Sequence, residues 1–284
     1  MACRNSVASE EFADFIAPYF TSPENFMRSQ GTDCIDFVNS TLAVVYVPLS
    51  TVTPSTYTSY TYSAVPKLYS LLDVTSMDAA GITPAGELPV LNNQGAGVIV
   101  GFVDTGINYT DSLFRNVDGS TRIIGIWDQT NNSDNSNNIE NETVKPFSAF
   151  SALYGTQYTA EEINLALNSD NPASIVPTRD ENGHGTFLAG VACGNKIDER
   201  NFSGVAPLAD ICVVKCREAK DGLKRYFRIG GDKVVYGEQD IMLGIKYLWQ
   251  TAVKAEKPLI ICFGIGTNIG GHERGGCLGE YLES

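Results

Sequence analysis

Two residues of this chain stand where they could move protons. Asp104 follows the apolar run Gly97-Val98-Ile99-Val100-Gly101-Phe102-Val103 and leads into Thr105-Gly106. Functional groups gather at such carboxyl ends of parallel strands, where a carboxylate is half open to a cleft. Taken alone, Asp104 also reads as a turn cap through an Asx hydrogen bond. His184 is one of two histidines and stands in Asn182-Gly183-His184-Gly185-Thr186. Glycines on both sides let backbone approach closely, which suits an imidazole that must touch both a substrate and an orienting carboxylate. Alone, it reads as a satisfied structural histidine. As a pair, with a hydroxyl added, Asp and His are the parts of an acyl-transfer triad.

The elements that must position this pair are legible as patterns. Residues 97–103, 210–215 (DICVVK) and 258–263 (PLIICF) are continuous apolar runs without alternation, as expected for parallel strands covered on both faces. Between the last two, Ile241, Ile245, Leu248, Trp249 and Ala252 recur at helical spacing within residues 239–256, with Pro258 just beyond. Strand, helix and strand in that order predict a βαβ unit in a helix-covered parallel sheet, an α/β fold. Nearer the start, Phe12, Phe15, Ile16, Tyr19 and Phe20 form a helical stripe within residues 9–27, complicated by Pro18 and ended by Pro23. A β-branched run covers residues 42–47, and residues 50–63 read as an extended linker rich in Thr, Ser, Tyr and Pro. The pattern predicts a small module over residues 1–63, a connector over 64–94 and a main domain over 95–284. Residues 131–141 hold six Asn and read as a surface loop.

Composition narrows the function. The chain has 284 residues, 43% hydrophobic and 19% charged, with a net charge of −13. That is globular composition, and an acidic surface argues against a general nucleic-acid binder. The longest apolar runs are far too short for a membrane span, and no secretory signal is evident at the start. The stretch from Lys215 to Lys233 carries seven basic residues; it reads as a solvated face, with an anionic-partner site as the other possibility. Seven cysteines at no metal-ligand spacing fit free thiols in a reducing compartment.

Three motifs in order then carry a resemblance. Val103-Asp104-Thr105-Gly106-Ile107 is followed by His184-Gly185-Thr186 with Ala189-Gly190. Gly204-Val205-Ala206-Pro207 then runs into Ala209, Ile211, Val213, Val214 and Lys215. Together these resemble the subtilisin-like serine proteases over residues 85–284, with a layout most similar to clostridial intracellular or spore-associated members. The resemblance implies a subtilisin-type parallel sheet, present here as its N-terminal part only and preceded by a small α+β propeptide-like module. It implies an endopeptidase in which Asp104 orients the imidazole and His184 takes the proton of a serine nucleophile. Cys262, Phe263 and Gly264 would belong to the strand that binds an extended peptide and edges the specificity pocket. The chain's own N-terminal module would occupy the cleft, with residues 62–73 near the junction. A cytoplasmic or spore-associated location is expected, with no membrane and no nucleic-acid partner.

Two departures qualify the likeness. The family nucleophile motif, Gly-Thr-Ser-x-[Ala/Ser]-x-Pro, does not occur in the 284 residues. The expectation is therefore the first half of a precursor, inactive by itself, with a non-catalytic subtilase-like binding or regulatory protein as the alternative. Members of the family with calcium after the Asp motif use an Asp where Leu113 stands, which counts against calcium, and no metal or other cofactor is expected. A nucleotide-binding loop at Gly264-x-Gly266-x-x-x-Gly270 is one residue too long and lacks a following helix pattern.

Overall fold

The computed structural model describes residues 6–53, 56, 60, 62–71, 94–131, 152–197, 202–230, 233–268 and 276–283. In chain order the strands and helices are β1 (Phe12–Pro18), α1 (Pro23–Gln30), β2 (Ile35–Phe37), β3 (Leu42–Pro48), β4 (Leu68–Leu71), β5 (Ile99–Asp104) and β6 (Ile123–Asp128). There follow β7 (Thr156–Thr159), α2 (Ala160–Leu167), α3 (His184–Cys193), β8 (Asp210–Lys215), α4 (Asp221–Tyr226) and β9 (Tyr236–Gly237). The last are α5 (Glu238–Ala255), β10 (Leu259–Phe263), β11 (Ile265–Gly266) and α6 (Cys277–Glu283).

The central sheet has the order β10-β5-β8-β6-β7 and is parallel except for the β6–β7 pair. All six residues of β5 are buried. Ile99 and Val103 share a core cluster with Ile241, Leu243 and Leu248 of α5, while Val100 and Phe102 share one with Ala189 and Cys193 of α3. Helices on both faces are why these strands read as unbroken apolar runs. Gly101 is needed where α5 crosses β5, since a Cβ there would come within 2.8 Å of Leu248 Cδ1. The expected helix is present as α5: Ile241, Ile245, Leu248 and Ala252 of its stripe are buried, whereas Trp249 is 55% exposed.

The N-terminal segment corrects the expected helix over residues 9–27. Residues Phe12–Pro18 form a strand paired residue for residue with Leu42–Pro48, and the helix begins only at Pro23. The apolar stripe was ambiguous because both faces of this sheet are covered. Ile16, Val44 and Tyr46 join the cluster that contains α5, while Ala17, Tyr19 and Val45 pack with Phe26 and Phe37. Pro23 opens a helix instead of ending one: Ser22 Oγ accepts from Asn25 N at 3.3 Å, and Gly31 closes the last turn at φ 65°. Within the expected connector, residues 68–71 form β4, and residues 72–93 lie outside the described residues, as do 132–141 of the Asn-rich loop. Cys34 is disulfide-bonded, contrary to the expectation of free thiols throughout, whereas Cys193, Cys212, Cys216, Cys262 and Cys277 are free.

The basic stretch is also not simply a solvated face. Lys215, Arg217 and Lys220 are buried. Asp14 of β1 accepts from Arg217 Nη2 at 3.1 Å, Lys220 Nζ at 2.5 Å and Gln239 Nε2 at 3.2 Å. Arg217 Nε continues to Asp240 Oδ1 at 2.9 Å, where Tyr154 OH also donates at 2.6 Å. Charges this deep are tolerated because each has a partner: Arg217 and Lys220 find Asp14 across the junction between the N-terminal sheet and the main domain, and Lys215 finds Glu181 within the main domain. Asp36 of β2 adds a second tie, accepting from Tyr46 OH at 2.8 Å and Leu153 N at 3.0 Å.

Removing one partner of this network should be costly. Asp14→Ala is expected to lower stability by about 3 kcal/mol, measured by urea denaturation, whereas Ala at the exposed Asp33 should change it by less than about 0.5 kcal/mol; equal effects would refute the junction. Burial pushes the Asp36 carboxyl up from 3.8 to about 6. Its contribution to stability is full below the unfolded value and is lost as pH rises through about 6. Asp36→Asn should therefore gain on the unsubstituted chain in thermal melts as pH rises from about 4 to about 6.5; a constant difference across that range would refute the buried carboxylate.

Candidate active site

The pair singled out from the sequence meets in space. Asp104 ends β5 and is 1% exposed, and His184 begins α3. Asp104 Oδ1 lies 2.7 Å from His184 Nδ1 and accepts from Thr105 N at 2.7 Å. A carboxylate on Nδ1 favours the tautomer protonated there and leaves Nε2 as the basic nitrogen. Asp104 Oδ2 is buried without a hydrogen-bond partner among the described residues.

The approach is possible because three glycines leave no side chain in the way. A Cβ at Gly185 would sit 2.3 Å from the Gly106 carbonyl. A Cβ at Gly264 would sit 2.1 Å from Leu188 Cδ1, 2.6 Å from Asp104 Oδ2 and 2.9 Å from His184 Cε1. Gly106 itself, at φ 118°, turns the chain over the stem of Lys215. The sequence resemblance singled out Gly264 for the peptide-binding strand; the structure brings it against the pair. Cys262 and Phe263, named with it, lie on β10, the edge strand of the central sheet, paired with Phe102 and Val103 of β5. Burial, with the charge of Asp104, pushes the Cys262 thiol up, so it stays protonated and is a poor nucleophile.

Several supporting residues were missed in the sequence. Asp180 holds the start of α3: Oδ1 accepts from Asn182 N at 3.2 Å and Gly183 N at 2.8 Å, and Oδ2 from Thr186 N at 2.8 Å and Thr186 Oγ1 at 2.7 Å. Burial would raise its carboxyl, but the hydrogen bonds from Thr186 and Gly183 hold it below the usual range. Thr186 Oγ1 also accepts from Asn108 N at 2.9 Å, and Thr105 Oγ1 accepts from Gly185 N at 2.8 Å. These bonds sew the loop after Asp104 to the turn that carries His184. Lys215 Nζ anchors the same turn through Arg179 O and Glu181 Oε2, each at 2.8 Å. The one signal in the sequence was a carboxylate and a hydroxyl flanking His184 in the same short segment.

Beside the pair runs an occupied groove. β4 lies between β11 and β9, antiparallel to both, with Leu71 opposite Ile265, Ser70 opposite Gly266, Tyr69 opposite Tyr236 and Leu68 opposite Gly237. Gly264 immediately precedes β11, so the carboxyl end of β4 runs toward His184 and Asp104. On the side of Gly264 the backbone edge that pairs with it is Ile265–Gly266, which begins two residues beyond Phe263.

The Leu113 side chain packs against the cluster holding Phe102 and Phe114. Among the described residues no group of three or more His, Cys, Asp or Glu side chains could hold a metal ion, and no helix is long and apolar enough to cross a membrane.

Comparison with known proteins gives a consistent result. Residues 95–231 match the model of the subtilase family. Two curated relatives from Arabidopsis thaliana are similar: subtilisin-like protease SBT3.6 is 26% identical over 143 residues, covering 49% of this chain and 17% of the relative. Subtilisin-like protease SBT1.9 is 27% identical over 146 residues, covering 46% and 18%. The solved structure of the Clostridium perfringens CspB protease superposes with a TM-score of 0.55 at 31% identity, covering 74% of this chain and 38% of that one. The chain thus spans less than a fifth of the curated relatives and well under half of the solved protease.

If Gly264 is the gap that admits the imidazole, Gly264→Ala should push His184 off Asp104. The expected outcome is loss of a slow-exchanging Nδ1 proton signal in NMR spectra, with the fold retained by circular dichroism; an unchanged signal would remove Gly264 from this role.

Proposed function

Because residues 95–231 of this chain are a subtilase-family domain with clostridial similarity, we propose that it belongs to a serine endopeptidase precursor, of which these 284 residues supply the Asp and the His. The observation that carries the reading is the 2.7 Å contact between His184 Nδ1 and Asp104 Oδ1 beside a groove that already holds an extended strand. The nucleophile would come from a segment bearing the family serine motif, which the 284 residues lack.

In the complete protein, His184 Nε2 would take the serine proton as the serine oxygen bonds to the substrate carbonyl carbon. Asp104 would hold the ring and offset the charge of the imidazolium. The same proton would then pass to the leaving amine as the peptide bond breaks, and water would release the acyl group by the reverse sequence. A substrate would bind as β4 does, an added strand between β11 and β9. On this reading the N-terminal module is a propeptide, β4 in the connector that follows it blocks the cleft, residues 62–73 lie near the junction, and the working location is the cytoplasm or the spore.

A second reading is a non-catalytic subtilase-like binding or regulatory protein. The two separate on one experiment: read the coding sequence past Ser284, rebuild any longer frame and assay peptide hydrolysis. A competent enzyme should lose about 10⁴-fold or more of kcat on His184→Ala and should show a mature N-terminus beyond Leu71. Retained proteolysis in His184→Ala would overturn the endopeptidase reading, and Met1 at the start of fully active material would overturn the propeptide.

A further inference from the structure

The strand in the groove is not held by its backbone alone. Leu68 is 4% exposed and shares a cluster with Ala219 and Val235, lined further by Leu223, Phe227 and Ile229. This apolar pocket is built by Ala219, by Leu223 of α4 and by Phe227, Ile229 and Val235 beyond it, and Leu68 fills it. The preceding residue meets an acid. Lys67 Nζ lies 3.5 Å from Glu238 Oε1, Lys67 N donates to Glu238 Oε2 at 3.1 Å, and Glu238 N donates back to Lys67 O at 2.8 Å. Glu238 is fully buried, and its Oε1 also accepts from Leu278 N at 3.3 Å. Ser70, two residues on from Leu68, has an exposed side chain.

We infer that this cleft selects its peptides by a basic residue followed by a bulky aliphatic one, at the positions of Lys67 and Leu68, with Glu238 as the specificity-determining residue for the cation. The inference rests on the reading that β4 stands where a peptide substrate would lie. A buried carboxylate facing the bound strand favours a cation there and repels an acid, because an unpaired or like charge in that setting is heavily penalised. A pocket lined by aliphatic and aromatic carbon gains from Leu and gains little from Ala. The substrate class is therefore a protein segment that can extend and present a Lys-Leu or Arg-Leu pair, with little demand on the residue at the position of Ser70.

The experiment uses the full chain carrying Leu68→Asp, which removes the apolar anchor of β4, and labelled peptides with the sequence of residues 62–71. The parent peptide is expected to bind. Its Leu68→Ala form should bind about tenfold or more weakly, its Lys67→Glu form about tenfold more weakly, and its Ser70→Ala form as the parent does. In a chain that also carries Glu238→Gln, the parent peptide and its Lys67→Glu form should bind equally well. If the Leu68→Asp chain does not fold, hydrogen exchange in the otherwise natural chain decides. The Glu238 amide should then exchange about tenfold faster in Leu68→Ala and unchanged in Ser70→Ala. Equal binding of all peptides, no binding of the parent, or equal exchange in the two variants overturns the inference. None of those outcomes touches the hydrolytic reading, since binding here needs no nucleophile. Conversely, selective binding without hydrolysis by the rebuilt protein overturns the hydrolytic reading and leaves a selective peptide-binding cleft.

Discussion

His184 reaches Asp104 only because three backbones come together with nothing between them. The end of β5, the start of α3 and the chain between β10 and β11 converge at Gly106, Gly185 and Gly264, where a Cβ on either of the last two would fall within 3 Å of a neighbour. That steric constraint sets the 2.7 Å contact between Nδ1 and Oδ1, and the packing around it follows. α3 must lie close on β5, so it is built from small residues such as Ala189 and Gly190. The turn before it must be rigid, so Asp180, Thr186 and Lys215 tie it to the ends of β5 and β8. Rigid elements carry the pair, and a single layer of polar contacts fixes its orientation.

The same sheet also determines how the N-terminal module is held. Its three strands press one face on α5 and the other on α1, so the module has no wet face and contributes to the main core. Apolar contact alone would leave the docking register loosely specified. The junction of Asp14 with Arg217, Lys220 and Gln239 is directional, and a shift of β1 by one residue would carry Asp14 away from all three. Register there and strand pairing at β4 are linked through the chain, since residues 62–71 lead from the module's side into the groove. A small hydrophobic sheet, a buried charge junction and a four-residue strand thus act together on one cleft.

Much of this was legible in advance where a pattern had one physical cause. Continuous apolar runs marked the buried parallel strands, and the period of residues 239–256 marked α5, although Trp249 within that stripe is exposed while Leu248 and Ala252 on either side of it are buried. Where two causes produce the same pattern, reading failed. Phe12, Phe15, Ile16 and Tyr19 satisfy a helical period and also a strand buried on both sides; their pairing with β3 decided between them. Lys215, Arg217 and Lys220 have the composition of a solvated face, and only their acidic partners, over a hundred residues away for Asp14, made them interior.

By itself, the sequence determined the chemistry available: a carboxylate at a strand end, an imidazole between glycines, the order of three motifs, and the absence of the family serine motif within these 284 residues. These are local properties of residue type and spacing. The tertiary structure decided that Gly264 faces the pair, that Asp180 holds the turn carrying His184, that Ile265–Gly266 is the edge facing β4, and that Lys67 meets Glu238. Each of those depends on segments distant in the chain packing at a particular separation, and contact between distant segments is set by shape and burial, which no local pattern encodes.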